Sequence, residues 1–380
     1  VGGLTSAGAL GRRDDDGTTK DTEGQAMKLG LGVSQLLDER LRYVKQLGAD
    51  GAFVHAQAIP GYQERGSATA DELAGVRRLV ESYGLEVLLL RLDYRRHEGI
   101  LWGLPHRDRE IADIATTIRA AGQAGVPTVI VNLTPWRSLP QSWGQTPGRP
   151  GPGEGDLRNG SGPGRYTRAV GRGGAVLLTH TRARAAEDAA RAPAEASAPY
   201  GHVTAEEMWD RIRYFYERII PVADEAGVNI GAHPNDPPEQ IYRGVEQVLN
   251  TADGLKRLVD LVPSPRNGLL LCLGTLHEMG TGPADTMAAI EYFVQRGKIF
   301  NAHFRNPKGT VPNGYYQEDF LDEGDMDMLA VMRLLYERGY KGSLDPDHAV
   351  GVVNDQGGRI AFAWELGYMK ALRASVQAAG

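Results

Sequence analysis

Residues 267–280 read NGLLLCLGTLHEMG and hold the only cysteine in a chain of 380 residues. An unbroken apolar run leads into Cys272, and Gly274 follows directly. The run is too short for a helix and reads as a strand buried on both faces. Seven other runs share this design: LGLGV (29–33), GAFVH (51–55), VLLLRL (87–92), VPTVIVNL (126–133), VNIGAH (228–233), IFNAHF (299–304) and GSLDPDH (342–348). Amphipathic stretches at helical spacing lie between them, at 36–48, 69–84, 108–125, 204–227, 283–297 and 325–339. Thr69 is placed to cap the second of these, and Gly48 and Gly84 to stop the first two. Repeated strand-then-helix units predict an α/β chain folded as a (β/α)8 TIM barrel. The other architecture of this pattern, a doubly wound open sheet, usually opens on a Gly-rich turn, and LGLGVSQLLDE lacks the GxGxxG spacing.

The domain limits follow from composition. Residues 27–380 are expected to form a single barrel domain. The stretch VGGLTSAGALGRRDDDGTTKDTEGQA (1–26) has no core pattern and is expected to be a disordered leader or an export-signal remnant. Residues 137–200, rich in Gly, Pro and Arg, form a long insertion after the fourth strand. A segment of that length at the active face of a barrel is expected to serve as a lid or to be disordered. Within it, GGAVLLTH (173–180) suggests a hairpin.

Charge and composition restrict the function. A net charge of -6 offers no basic surface for nucleic acid. No apolar run approaches the ~20 residues of a helical membrane span. One cysteine excludes an intrachain disulfide. A thiolate ligand suits a reducing cytoplasm, with export as the alternative.

The last four strands end on chemistry. The fifth ends in His233, the sixth carries Cys272, the seventh ends in His303, and the eighth runs into Asp347-His348. In a barrel these ends share one face. Alone, a buried Cys is usually a small hydrophobe, a strand-end His is usually a hydrogen-bonded structural residue, and DPDH is a plain turn. Four such residues at corresponding ends of successive strands point instead to a site for a divalent transition metal. Thiolate and carboxylate neutralise a 2+ ion, and two imidazoles complete four positions. Mn, Fe, Co, Ni and Zn all suit such donors. Arg305, two residues past His303, suits a substrate carboxylate, or else a salt bridge at the barrel rim. His348 beside Asp347 suits a general acid or base, or else a supporting hydrogen bond. His55, Asn132, Asn235, Asp236 and Glu318 are the further candidates for substrate contact.

The stretches RYVKQLGADGAFVH, HPNDPP, RNGLLLCLGTL, HFRN, EDFLDEGDMDM and GYKGSLDPDH together resemble the mannonate dehydratase family, in the xylose-isomerase-like group of barrels. The resemblance spans about residues 29 to 372 and is poorest over 137–200. It implies a TIM barrel whose Mn2+ or Fe2+ is held by His233, Cys272, His303 and Asp347, with Co2+, Ni2+ or Zn2+ as alternatives. It implies removal of water from D-mannonate to give 2-keto-3-deoxy-D-gluconate, with His348 catalytic and Arg305 touching substrate. The implied partner is a small sugar or sugar acid, and a homo-oligomer is expected. Three positions depart from the pattern. Asp345 stands where the family usually has Arg, Phe362 where it has a Tyr, and Leu321 where it has a His. These departures keep two alternatives in view: an isomerase or epimerase acting on a neutral or oxidised sugar, and a non-catalytic sugar- or metal-binding barrel.

Overall fold

The computed structural model describes residues 27–93, 97–134, 166–183, 185–186, 201–242, 244–355 and 357–379. The expected leader (1–26) lies outside them, as does the insertion apart from 166–183 and 185–186. Eight parallel strands build a barrel: β1 (Lys28–Val33), β2 (Gly51–His55), β3 (Glu86–Arg91), β4 (Thr128–Asn132), β7 (Asn229–His233), β10 (Asn267–Cys272), β11 (Ile299–His303) and β14 (Ser343–Asp345). They close in the order β1-β14-β11-β10-β7-β4-β3-β2. Each falls on a run expected to be a strand. The eighth is shorter than GSLDPDH suggests: pairing stops at Asp345, and Asp347 and His348 stand in the loop beyond it.

The barrel closes because its strands are buried on both faces, mostly by apolar side chains. Phe53, Leu88, Leu89, Ile130 and Leu270 form a cluster of their own, apart from the main core that the surrounding helices share with the strands. Gly30 makes room for the first of these: a Cβ there would meet the Phe53 ring at 2.8 Å. The helix Ala70–Ser82 begins at Thr69, whose side chain accepts from Glu72 N while the Glu72 carboxylate accepts from Thr69 N. Thr204 and Glu207 repeat this device at the helix Ala205–Ala226. The helices Ala252–Leu261 and Arg359–Ala379 complete the outer layer. No helix among the described residues is long and apolar enough to cross a membrane.

The expected hairpin is present as β5 (Tyr166–Val170) and β6 (Val176–Thr181). It does not stand alone. β6 pairs with β13 (Tyr315–Gln317), which pairs with β12 (Lys308–Thr310), giving a four-stranded antiparallel sheet. A short ladder, β8 (Ile241–Tyr242) with β9 (Val245–Glu246), follows β7. The four-stranded sheet reaches the loop after β14 through a Val176–Gly351 bridge. It reaches the loop after β7 through His180 Nε2, 2.7 Å from Glu239 Oε1. So the excursion after β4 is tied to the loops that carry the candidate site.

Candidate metal centre and active site

Strand register places the donors. Cys272 is paired with His303, His233 with Asn132, and His303 with Asp345. β7, β10, β11 and β14 adjoin in the barrel, so their C-terminal ends form one arc. His233, Cys272, His303 and Asp347 each offer a ligand atom there, and these atoms lie within 4.8 Å of one another. That is close enough for one ion at roughly 2.0–2.3 Å from each donor after small adjustments. His233 Nδ1 lies 2.6 Å from the Pro234 carbonyl oxygen, which can only accept. Nδ1 therefore carries a proton, so Nε2 is the nitrogen that would give its lone pair to a metal in place of donating to Cys272. His303 Nδ1 is buried 3.2 Å from Asp347 Oδ2 without the geometry of a hydrogen bond. These observations fit a divalent ion.

The electrostatics match. Burial alone would push the Cys272 thiol up, but the Arg305 charge and hydrogen bonds from His233 and His303 hold it well below the usual thiol range. The thiolate is the form that ligates metal. Its sulfur also accepts from Thr275 Oγ1 at 3.1 Å and Arg305 Nε at 3.2 Å. Burial would likewise raise Asp347, yet the charges of His303 and His348 keep it well below the carboxylate range. Burial pushes Asp345 up to about 7 against the opposing charge of His303, so near neutrality its negative charge is partial.

Of the two readings of Arg305, its contacts match the salt bridge. It is buried, and a guanidinium has five N–H groups. Nε points to Cys272 Sγ. One terminal nitrogen makes a short contact to Glu278 Oε1 and a 2.7 Å bond to Glu318 Oε1. The other donates to Asp236 Oδ2 at 3.1 Å and Thr275 Oγ1 at 2.8 Å. All five donors are engaged by the protein, which leaves none for a substrate carboxylate in this arrangement. Gly274 permits this, because a Cβ there would lie 2.5 Å from Arg305 Cγ. Arg305 is thus a brace for the thiolate and for three acids.

His348 stands beside the cage. Its Nδ1 lies 2.7 Å from Glu318 Oε1, and its Nε2 lies 3.5 Å from Asp347 Oδ2. Burial lowers its pKa, but Asp347 and Glu318 more than compensate and the net shift is upward. Glu318 is itself held by the four-stranded sheet, since its backbone N–H donates to Leu178 O at 2.8 Å.

The remaining expected contacts divide. His55 lines the cavity next to the cage. Asp236 and Glu318 reach the site, but as partners of Arg305. Asn235 is held by the protein: its Nδ2 donates to Thr134 Oγ1 and its Oδ1 accepts from Leu249 N, bracing the loop after β7. Asn132 Oδ1 accepts from Thr134 N, and Asn132 lines a separate small cavity with Leu92, Ile100 and Phe215. Thr275 went unnoticed in the sequence. The signal was its place three residues after Cys272, where a turn of helix returns its hydroxyl to the sulfur.

The D-mannonate dehydratase (UxuA) family model matches residues 35–379. The chain belongs to the mannonate dehydratase family. A mannonate dehydratase 2 from Halalkalibacterium halodurans is 28% identical over 328 residues, covering 84% of this chain and 89% of that protein. The crystal structure of mannonate dehydratase from Streptococcus suis serotype 2 superposes with a TM-score of 0.74 at 27% identity, over 93% of this chain and 96% of that one. A xylose isomerase domain protein from Planctomyces limnophilus shares the fold, with a TM-score of 0.55 at 16% identity, over 93% of this chain and 99% of that one. As a member of the mannonate dehydratase family the chain is a hydro-lyase acting on a sugar acid, and the isomerase alternative is set aside.

Proposed function

We propose that this enzyme removes water from D-mannonate to give 2-keto-3-deoxy-D-gluconate, using Mn2+ or Fe2+ held by His233, Cys272, His303 and Asp347. The observation that carries the proposal is the gathering of these four donors beside His348 in a chain of this family. A divalent ion bound there supplies a Lewis acid that acidifies the proton next to a carboxylate. The protein's own part is proton management. With its Nδ1–H donated to Glu318, neutral His348 keeps a lone pair at Nε2 to accept the C2 proton. The C2–H electrons form the C2=C3 bond as the C3–O bond breaks. The imidazolium then returns its proton to the leaving oxygen, so water departs and His348 is restored. The enol rearranges to the 2-keto product. Phe362, which lines the cavity, has no proton to exchange, and His348 carries both transfers.

His348→Gln keeps side-chain bulk and hydrogen-bonding groups but cannot act as a base at neutral pH. Its kcat on D-mannonate should fall by about 10²–10⁴-fold, while its manganese stoichiometry, read by atomic spectroscopy, stays that of the wild type. Retention of wild-type turnover would assign the proton transfer elsewhere.

A further inference from the structure

We infer that Arg91 is the cation that receives the substrate carboxylate, an inference that rests on the sugar-acid reading above. A cavity of about 290 Å³ adjoins the cage and is lined by His303, Asp347, Asp345, His55, Arg91 and Phe362, among others. A sugar acid entering it meets the carboxylates of Asp345 and Asp347, so its own carboxylate needs a positive partner. Arg305 is spent on protein acceptors. Among the described residues, three arginines line the cavity: Arg40, Arg91 and Arg359. Arg40 donates to Gly32 O at 2.7 Å, and Arg359 to Glu39 Oε1 at 2.6 Å. Arg91 makes no hydrogen bond or ion pair among the described residues; its charge acts on Asp345, across the same cavity, without contact.

Its placement is built into the barrel. Arg91 is the last residue of β3, in register with His55 on one side and Ile130 on the other. The guanidinium therefore springs from the C-terminal rim, the same end that carries the cage. A half-buried guanidinium facing a cavity has its planar fork available to an anion, and a carboxylate matches that fork with two parallel N–H···O bonds.

The test uses the full chain reconstituted with Mn2+, as wild type, Arg91→Gln and Arg91→Lys. The probes are the 3-deoxy analogue of D-mannonate, which has no C3 hydroxyl to eliminate, and the alditol made by reducing its carboxylate. Titration calorimetry should show the wild type preferring the acid. Arg91→Gln should weaken the acid by about 10- to 100-fold and leave the alditol within ~2-fold, with Arg91→Lys intermediate. With D-mannonate itself, KM should rise more than kcat falls. Loss of acid and alditol binding together, unchanged acid binding in Arg91→Gln, or a wild type indifferent to the carboxylate would each overturn the inference. The two proposals fail separately. Wild-type turnover of D-mannonate with Arg91→Gln unaffected removes the anchor and keeps the reaction. Arg91-dependent acid binding without turnover keeps the anchor and removes the reaction.

Discussion

Cys272→Ser is expected to lose stoichiometric metal and about 10³-fold in kcat/KM on D-mannonate, equivalent to about 4 kcal/mol of transition-state stabilisation. The side chains differ by one atom, so the effect is chemical. A serine hydroxyl does not ionise at neutral pH, whereas the Cys272 thiol, against the upward push of its burial, is held as thiolate by Arg305 and two imidazoles. Its loss leaves a 2+ ion with Asp347 as its one anionic ligand in the set. It also leaves Arg305 Nε without the acceptor now 3.2 Å away. Metal analysis after dialysis, beside a turnover assay, reads both losses. A variant that kept its metal and at least a tenth of wild-type activity would show that the sulfur is not a ligand.

Arg305→Gln is expected to cost about 3–5 kcal/mol of folding stability, because it strands buried acids without their counter-charge. Glu278, Glu318 and Asp236 all converge on this guanidinium and are at most 4% exposed. Burial already raises the Glu278 carboxyl well above its usual range, even with Arg305 opposing it. Lysine is no substitute, since three rotatable donors on a point charge cannot meet five fixed acceptors. Arg305→Lys should therefore recover little. The control is Arg42→Gln, which breaks an exposed pair with Asp38 in the helix Asp38–Gln46 and should leave stability indistinguishable from wild type, because solvent screens the pair. Urea denaturation compares the three variants. A loss under about 1 kcal/mol in Arg305→Gln would mean that the acids are protonated or relax into solvent.

The gathering of the four donors was legible in the sequence because a barrel converts a one-dimensional feature, the last residue of a strand, into a three-dimensional one. His233, Cys272 and His303 are each the final residue of a paired strand, and the arc follows from strand order. Asp347 needed the same rule stretched by two residues into a loop. The partners of Arg305 were not legible, because its acceptors come from four separate places: the helix after β10, the loop after β7, the segment after β13, and Cys272 itself. No local spacing announces such a convergence. The asparagines show the opposite case. Asn132 and Asn235 stand where a substrate contact is expected, but a nearby backbone or hydroxyl partner claims each of them first. The hairpin at Tyr166–Thr181 looked incidental amid Gly, Pro and Arg. Its role emerges only through β13, far along the chain, which sets Glu318 against His348.

The most direct test of the account is the fate of D-mannonate with the manganese-reconstituted wild type, followed by mass spectrometry and proton NMR. The account predicts a product lighter by one water, with a keto group at C2 and a methylene at C3, formed only when metal is present. Conversion at constant mass would mean that the cage drives isomerisation. Unchanged D-mannonate, with metal bound at one ion per chain, would contradict D-mannonate as the substrate and leave the cage to another sugar acid.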